Sequence, residues 1–340
     1  MLVAIVALLV AGTGIVLVPR NSAEPEAVPF SENARLAAYG DALALRDSAA
    51  SLGGSPDSGT ASTELADAVT LLTTHAQALL GPDPSTSDSP TIGDRDTRKP
   101  TSAGDVVEAI AASGRQRLSD AGEADGGIAR LLAAVGTSQL LEAERLAGLF
   151  KVQLPSREPA DKASATKTAG DQTRSTAQCP SASPTPRPTD ATTDTALAAG
   201  VRSEQEAVYA YQVALKRLDA TAAVTAAKGL AAHELLLQQA ESLTRLNCGD
   251  VPAREAGYRL APGFPQDPPA HLGALETGAL PVFGDLVALS DGQTRQWAID
   301  SLLAAARRGL GWGASLPALP GLKLDAGGLP PLPASPAGRG

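Results

Sequence analysis

The sequence predicts an all-α protein with two helical bundles, and three observations lead to this prediction. Residues of the apolar classes make up 43% of the chain and are mostly Ala, Leu and Val, whereas aromatic residues make up only 3%. Small aliphatic side chains suit closely packed helices, and the alternation of β-branched and aromatic residues typical of strands is nearly absent. Apolar residues instead recur at helical spacing, in two regions that a Pro-, Ser- and Thr-rich stretch separates.

The chain opens with an uncharged apolar run over residues 2–18. As a helix this run would be about 25 Å long, slightly short of the roughly 30 Å hydrocarbon core of a membrane. No Lys or Arg precedes it, although a signal peptide would carry one there. We therefore expect residues 1–20 to be an uncleaved single-pass membrane anchor, with the bulk of the chain outside the cytoplasm. Secretion after signal cleavage is the alternative.

Residues 30–154 are predicted to form a first helical domain. Ser31 is a candidate N-cap, and the sequences "GGSPDSG" and Gly81 are stop signals for the first two helices. A polar loop follows, and then two more amphipathic segments. The pattern predicts a small four-helix bundle with helices at 31–52, 62–81, 103–121 and 127–152.

The composition changes to Ser, Thr, Pro, Asp and Lys over residues 155–194, and the last twenty residues are rich in Pro and Gly. Neither stretch has enough apolar surface to order itself. The sequence therefore predicts a disordered linker at 155–194 and a disordered tail at 321–340.

Residues 195–320 are predicted to form a ferritin-like four-helix bundle. Its helices are expected at 195–219, 221–247, 270–290 and 292–312, with a long Pro-rich connection between the second and third. Short, long and short connections are typical of a ferritin-like bundle, because the long crossover makes the second and third helices parallel.

Helical wheels place several polar side chains of this second bundle on inward faces. Glu204 shares the apolar stripe of the first helix with Tyr211, whereas Glu206 lies on the opposite side. In the second helix His233 lies within the apolar stripe, and in the fourth Arg295 extends it. Glu276 lies on the flank of the stripe of the third helix.

Two interpretations of these residues follow. Glu204, His233 and Arg295 can form a buried polar cluster, in which Arg295 supplies the positive charge and no cofactor is needed. Alternatively, Glu204, His233 and Glu276 can bind a single transition-metal ion. A di-iron bundle uses Glu-x-x-His on two helices, but here Leu230 occupies the Glu position before His233. The polar cluster is therefore the favoured interpretation.

The two cysteines, Cys179 and Cys248, are predicted to form a disulfide, since paired cysteines in an exported protein are usually bonded. A bridge closing a loop of this length would stabilise the fold by about 4 kcal/mol in the chain-entropy model. Two unrelated free thiols are the alternative.

Charge and motifs limit the classes of function. The net charge of −9 argues against a nucleic-acid partner. The sequence contains no Gly-rich phosphate loop, no Gly-x-Ser-x-Gly motif and no Cys–His nucleophile pair. These absences favour a protein that is not an enzyme.

The second domain resembles the ferritin-like domain of unknown function found in exported actinobacterial proteins. The resemblance rests on "EQEAVYAYQVAL" at 204–215, "AAHELLLQQAESL" at 231–243, "GYRLAPGFPQDPPAHLGALE" at 257–276 and "AARRGLGWGASLPALPGL" at 305–322. It implies a four-helix ferritin-like bundle in which Glu204 and His233 are shared positions, although Gln205 stands where many relatives have His. It implies no activity.

The sequence thus predicts an anchored extracytoplasmic protein with a binding or structural role in the cell envelope. Its partners would be the membrane and an unidentified envelope protein. A metal-binding or metal-dependent oxidoreductase module with an incomplete carboxylate/His site is the alternative.

Overall fold

The computed structural model describes residues 28–54, 59–80, 100–155, 191–323 and 326–333. Within these ranges the chain contains eight α-helices and no strand, which confirms the predicted all-α fold. The predicted anchor at 1–20 and residues 156–190 of the predicted linker lie outside the described residues.

The eight helices agree closely with those predicted from apolar spacing and cap residues. In the first half they are α1 (Phe30–Gly53), α2 (Gly59–Leu79), α3 (Ala103–Glu123) and α4 (Gly126–Phe150). In the second half they are α5 (Thr193–Ala214), α6 (Ala220–Leu246), α7 (Pro268–Leu289) and α8 (Gly292–Gly311). A short 3₁₀ helix, Ala326–Gly328, follows.

Side-chain caps fix several helix starts. Ser102 and Asp105 form a reciprocal capping box at the start of α3, and the Asp219 carboxylate accepts hydrogen bonds from the first backbone N–H groups of α6. Such caps satisfy donors that have no partner within the helix. Because Asp219 caps α6, α5 ends before it, at Ala214 rather than at the predicted residue 219.

The second half is a four-helix bundle with the predicted long crossover. Helix α5 contacts both α6 and α7, and α8 contacts α7 and, more weakly, α6. The Thr193 hydroxyl donates to the Leu289 carbonyl, so the start of α5 lies at the end of α7. The Asn247 amide donates to the Thr294 hydroxyl 3.2 Å away, so the end of α6 lies at the start of α8. The connection at 247–267 therefore joins two parallel helices, α6 and α7.

The two four-helix halves pack against each other through a shared core. Helix α4 contacts α7 and α8, and one continuous cluster of buried apolar residues includes Leu132 and Leu146 of α4 together with Leu280 and Phe283 of α7. Leu332 also packs against this core, although it falls in the predicted disordered tail.

Of the helices in the described ranges, only α7 is long and apolar enough to cross a membrane by composition. It also lies within the packing of the two halves, because it contacts α4 of the first half and α5 and α8 of the second. A helix that is apolar on nearly all sides is expected at the centre of such a packing as well as in a membrane.

Candidate functional site

Charged side chains from all four helices of the second bundle meet inside it. His233 of α6 lies between Glu204 of α5 and Glu276 of α7: its Nδ1 is 2.8 Å from Glu204 Oε2 and its Nε2 is 2.8 Å from Glu276 Oε1. Arg308 of α8 donates from Nε to the same Glu276 oxygen at 2.9 Å. We call Glu204, His233, Glu276 and Arg308 the charged cluster.

Two aromatic side chains complete the surroundings of Glu276. The Tyr211 hydroxyl donates to Glu276 Oε1 at 2.6 Å, and Trp312 Nε1 donates to the Tyr211 oxygen at 2.7 Å. Glu276 Oε1 therefore accepts three hydrogen bonds, from His233, Arg308 and Tyr211. Such a network favours the ionised carboxylate.

Helical spacing explains how α5 and α6 build this site. Glu204 and Tyr211 are seven residues apart, or two turns, so both side chains leave the same face of α5. On α6, Gly229 lies one turn before His233, and a Cβ at Gly229 would come within 2.4 Å of Tyr211 Cε1. The glycine thus leaves the space that the tyrosine ring occupies.

Each nitrogen of His233 lies 2.8 Å from a carboxylate oxygen. Because an ionised carboxylate only accepts hydrogen bonds, both nitrogens donate when His233 is in the charged imidazolium form. The side chain of His233 is 3% exposed and that of Glu204 is 1% exposed. Burial by itself lowers the pKa of His233, but the hydrogen bonds to Glu204 and Glu276 and the charges of both carboxylates outweigh burial and raise the pKa above its usual value.

The acidic groups respond in the complementary way. Burial by itself raises the pKa of Glu276, but the hydrogen bond and charge of His233, together with Arg308, lower the pKa below its usual value. Burial and the adjacent Glu276 charge raise the pKa of Tyr211, which therefore remains a neutral donor. With both histidine nitrogens protonated, the two positive and two negative charges of the cluster balance.

The cluster engages both nitrogens of the imidazole ring in contacts with carboxylates. The two carboxylates bind opposite nitrogens of the imidazole ring, so they lie on different sides of it. Among the described residues, no group of three or more His, Cys, Asp or Glu side chains is arranged around a common metal position. A metal ligand would also need an unprotonated ring nitrogen.

Two buried atoms of the cluster have no hydrogen-bond partner in the described part of the chain. They are Glu276 Oε2 and Arg308 Nη2, which belong to the same ion pair. Buried charged groups are usually fully hydrogen-bonded. The open carboxylate oxygen of Glu276 is therefore the place at which this cluster could accept a further ligand.

The structure corrects the predicted cation partner of Glu204. Arg295 lies apart from the cluster and donates to the Ser290 carbonyl at 2.6 Å and to the Ala124 carbonyl at 2.5 Å. Helices α5 and α8 do begin at the same end of the bundle, as predicted. However, Glu204 lies halfway along α5, whereas Arg295 lies in the first turn of α8. Arg308, about 20 Å further along α8, is the arginine at the depth of the cluster.

The structure also corrects the inward face of α7. Glu276, predicted on the flank of the apolar stripe, is only 1% exposed. The buried face of α7 includes Leu272, Leu280, Phe283 and Val287 as well as Leu286. Because α7 is apolar around most of its circumference, a helical wheel does not define one inward face for it.

Other predicted positions agree with the structure. Glu206 is exposed and Tyr211 is fully buried. Gln205, next to Glu204, holds the long connection: its amide donates to the Pro252 carbonyl at 3.1 Å and its oxygen accepts from the Tyr258 hydroxyl at 3.0 Å.

Only one of the two cysteines of the predicted disulfide lies within the described residues. Cys248, just after α6, is disulfide-bonded. Cys179 lies outside the described residues, so its pairing with Cys248 stays a prediction.

Sequence reasoning missed Arg308 and Trp312 as members of the site. Both lie in the segment 305–322 that carries part of the family resemblance, together with Gly309. A Cβ at Gly309 would lie 3.6 Å from the Cβ of Glu276, so this segment approaches α7 closely. The presence of Arg308 and Trp312 in that motif was the sequence feature that could have indicated their place in the site.

Fold and site together define an all-α protein whose second bundle encloses a buried, charge-balanced cluster. Residues 196–324 match the family model described as Domain of unknown function (DUF4439), and this range contains every residue of the charged cluster. No curated protein and no solved structure matches the chain.

Proposed function

We propose that this chain is an extracytoplasmic envelope protein with a binding or structural role, in which a ferritin-like bundle is held together by a charged cluster in place of a metal centre. The single observation that carries the proposal is the position of His233. Its two ring nitrogens each lie 2.8 Å from a carboxylate oxygen, of Glu204 and of Glu276, while Arg308 donates to the same oxygen of Glu276.

The chemistry of the cluster supports a bundle without metal chemistry. A divalent ion would need His233 to lose its proton and would lie beside the guanidinium of Arg308, which is a repulsive neighbour at low dielectric. The topology supports the ferritin-like assignment, because the long connection joins the parallel helices α6 and α7. In this proposal Arg308 supplies the positive charge that a metal would supply in a ferritin-like oxidase.

Two features support the location outside the cytoplasm. Residues 2–18 form an uncharged apolar run, which serves as the membrane anchor in this proposal. Cys248 is disulfide-bonded, and disulfides persist mainly in oxidising compartments. A reporter enzyme that is active only outside the cytoplasm, fused after residue 340, should be active. An inactive but intact fusion would contradict this location.

A metal-binding module is the second candidate function. It is favoured by the meeting of Glu204, His233 and Glu276 and by the open Oε2 atom of Glu276. In this candidate an ion would displace the proton of His233, so binding would weaken steeply as the pH falls.

Metal analysis of the full chain, purified in detergent, separates the two candidates. We expect less than stoichiometric iron, manganese and zinc, and a melting temperature that neither a chelator nor added Zn²⁺ changes. Stoichiometric metal that is lost in Glu204→Ala but retained in the surface control Glu206→Ala would contradict the proposal and support the metal module.

A further inference from the structure

The first bundle has the same order of connections as the second. Residues 54–58 join α1 to α2, and residues 215–219 join α5 to α6. A long connection follows in each half, at 80–102 and at 247–267. The last pair of helices is joined by two residues in both halves, at 124–125 and at 290–291.

The helices of the two bundles also share neighbours and directions. In the first half α1 contacts α2 and α3, and α4 contacts α3 and, more weakly, α2. Arg35 donates to the Leu79 carbonyl, so the start of α1 lies at the end of α2. The Ser31 hydroxyl donates to Asp125 at 2.7 Å, which places the start of α1 at the end of α3.

These contacts have direct counterparts in the second half. The contact between Ser31 and Asp125 corresponds to the one between Thr193 and Leu289, at the start of the first helix and the end of the third. The second and fourth helices are antiparallel in both halves: Glu64, early in α2, pairs with Arg145, late in α4, as Asn247 at the end of α6 meets Thr294 at the start of α8.

The contacts between the bundles are reciprocal. The start of α4 lies against the end of α7, where a Cβ at Gly126 would come within 2.4 Å of the Ala288 carbonyl oxygen. In the counterpart of this contact, Arg295 at the start of α8 donates to the Ala124 carbonyl at the end of α3. Helices α4 and α8, which occupy equivalent places in their bundles, also contact each other.

Reciprocal contacts of this kind are what a two-fold axis generates, because each contact between two different elements then occurs twice. We infer that the two halves are two copies of one bundle fold, paired about an approximate internal two-fold axis. The α7–α8 face is then a pairing surface for a second bundle of the same fold, and residues 30–150 of this chain are that partner.

The pairing explains the composition of α7. Phe283, Leu286 and Val287 are fully buried in the core that the second half shares with the first. The family match covers residues 196–324 only, and the first half, which lies outside this match, covers the apolar face of α7 in this chain. The charged cluster is not duplicated, because α1 to α4 carry different buried polar groups.

Cleavage of the chain between the halves tests the pairing. A protease site is inserted among residues 160–170 of the full chain in detergent, so that Cys179 stays with the second half. After cleavage we expect the halves to elute together as a 1:1 complex at the volume of the uncut chain. Elution as two separate folded species would overturn the inference.

Reciprocal substitutions test the two-fold relation. Gly126→Leu should weaken the complex of the cleaved halves at least tenfold in Kd, whereas the adjacent control Gly127→Leu should change it less than twofold, since nothing lies within 4 Å of a Cβ there. Arg295→Met should also weaken the complex at least tenfold. Helix content of each variant, measured by circular dichroism, verifies that the halves remain folded. An effect at only one of the two contacts would overturn the two-fold relation.

Discussion

The two bundles bury charge in different ways. In the first, the side chain of Arg117 is 1% exposed and pairs with Asp120 on its own helix and with Asp41 of α1. The side chain of Asp41 is 37% exposed. In the second, the four charged side chains come from four different helices, and both carboxylates are 1% exposed. The first arrangement links only two helices and is partly solvated, whereas the second links all four helices of its bundle.

The buried histidines of the two bundles also differ in their hydrogen-bond partners and in their charge. His75, on the second helix of the first bundle, is fully buried and donates from Nε2 to the Ala318 carbonyl at 2.9 Å. Its Nδ1 has no partner among the described residues, and burial lowers the pKa of His75 to about 4. His233 is instead charged and bonded on both sides. A buried histidine is therefore neutral or charged according to whether a carboxylate faces it.

Removal of one carboxylate from each bundle should give the largest difference in the free energy of unfolding between the two bundles. Glu276→Ala leaves Arg308 and His233 without their shared partner inside the bundle, and we expect a loss of about 3–5 kcal/mol in the free energy of unfolding. Asp41→Ala should cost less than about 1 kcal/mol, because Asp120 still pairs with Arg117 and Asp41 is partly solvated. Urea unfolding of both variants at pH 7 measures the difference. Similar losses would contradict the distinction between the two bundles.

The pH dependence of stability should have opposite signs at the two histidines. The pKa of His75 is lower in the folded chain than in the unfolded one, so its stabilising contribution is present above pH 6.5 and is lost as the pH falls from 6.5 towards 4. A shift of this size corresponds to about 3 kcal/mol. The pKa of His233 is raised, so its contribution is present below pH 6.5 and is lost as the pH rises through its folded pKa.

Unfolding free energies of His75→Leu and His233→Leu, measured from pH 4.5 to 9 and compared with the unaltered chain, test these signs. The unaltered chain should lose stability relative to His75→Leu on acidification, and relative to His233→Leu on alkalisation. A common sign for the two differences would contradict the assigned protonation states.

A smaller effect is expected from loss of a single hydroxyl group. Tyr211→Phe removes the donor to Glu276 and the acceptor for Trp312, and we expect a loss of about 1–2 kcal/mol. Tyr39→Phe in the first bundle is the matched control, with an expected change within about 0.5 kcal/mol. Thermal unfolding of the two variants measures the difference, and equal shifts in Tm would show that the Tyr211 hydroxyl adds nothing to the cluster.

Much of this organisation was predictable from the sequence. Helical periodicity and cap residues placed all eight helices, and the wheel placed Glu204, His233 and Tyr211 inside because α5 and α6 each have one apolar stripe. It failed for Glu276, since α7 is apolar on most sides. It failed for Arg295 because a wheel gives direction around a helix but not depth along it.

The pairing of the bundles was beyond local sequence reasoning. The contacts between Gly126 and Ala288 and between Arg295 and Ala124 join residues more than 150 positions apart. Glycine at the start of α4 has an ordinary local interpretation as a flexible link, and only the packed structure identifies it as a close contact.

The protonation state of His233 tests the central claim most directly. In the full chain labelled with ¹⁵N-histidine, in detergent at pH 7, nuclear magnetic resonance distinguishes an imidazolium from a neutral ring. We predict that both nitrogens of His233 carry protons, whereas His75 in the same sample has one unprotonated nitrogen. An unprotonated nitrogen on His233 at this pH would contradict the charge-balanced cluster and leave a lone pair available to a metal ion.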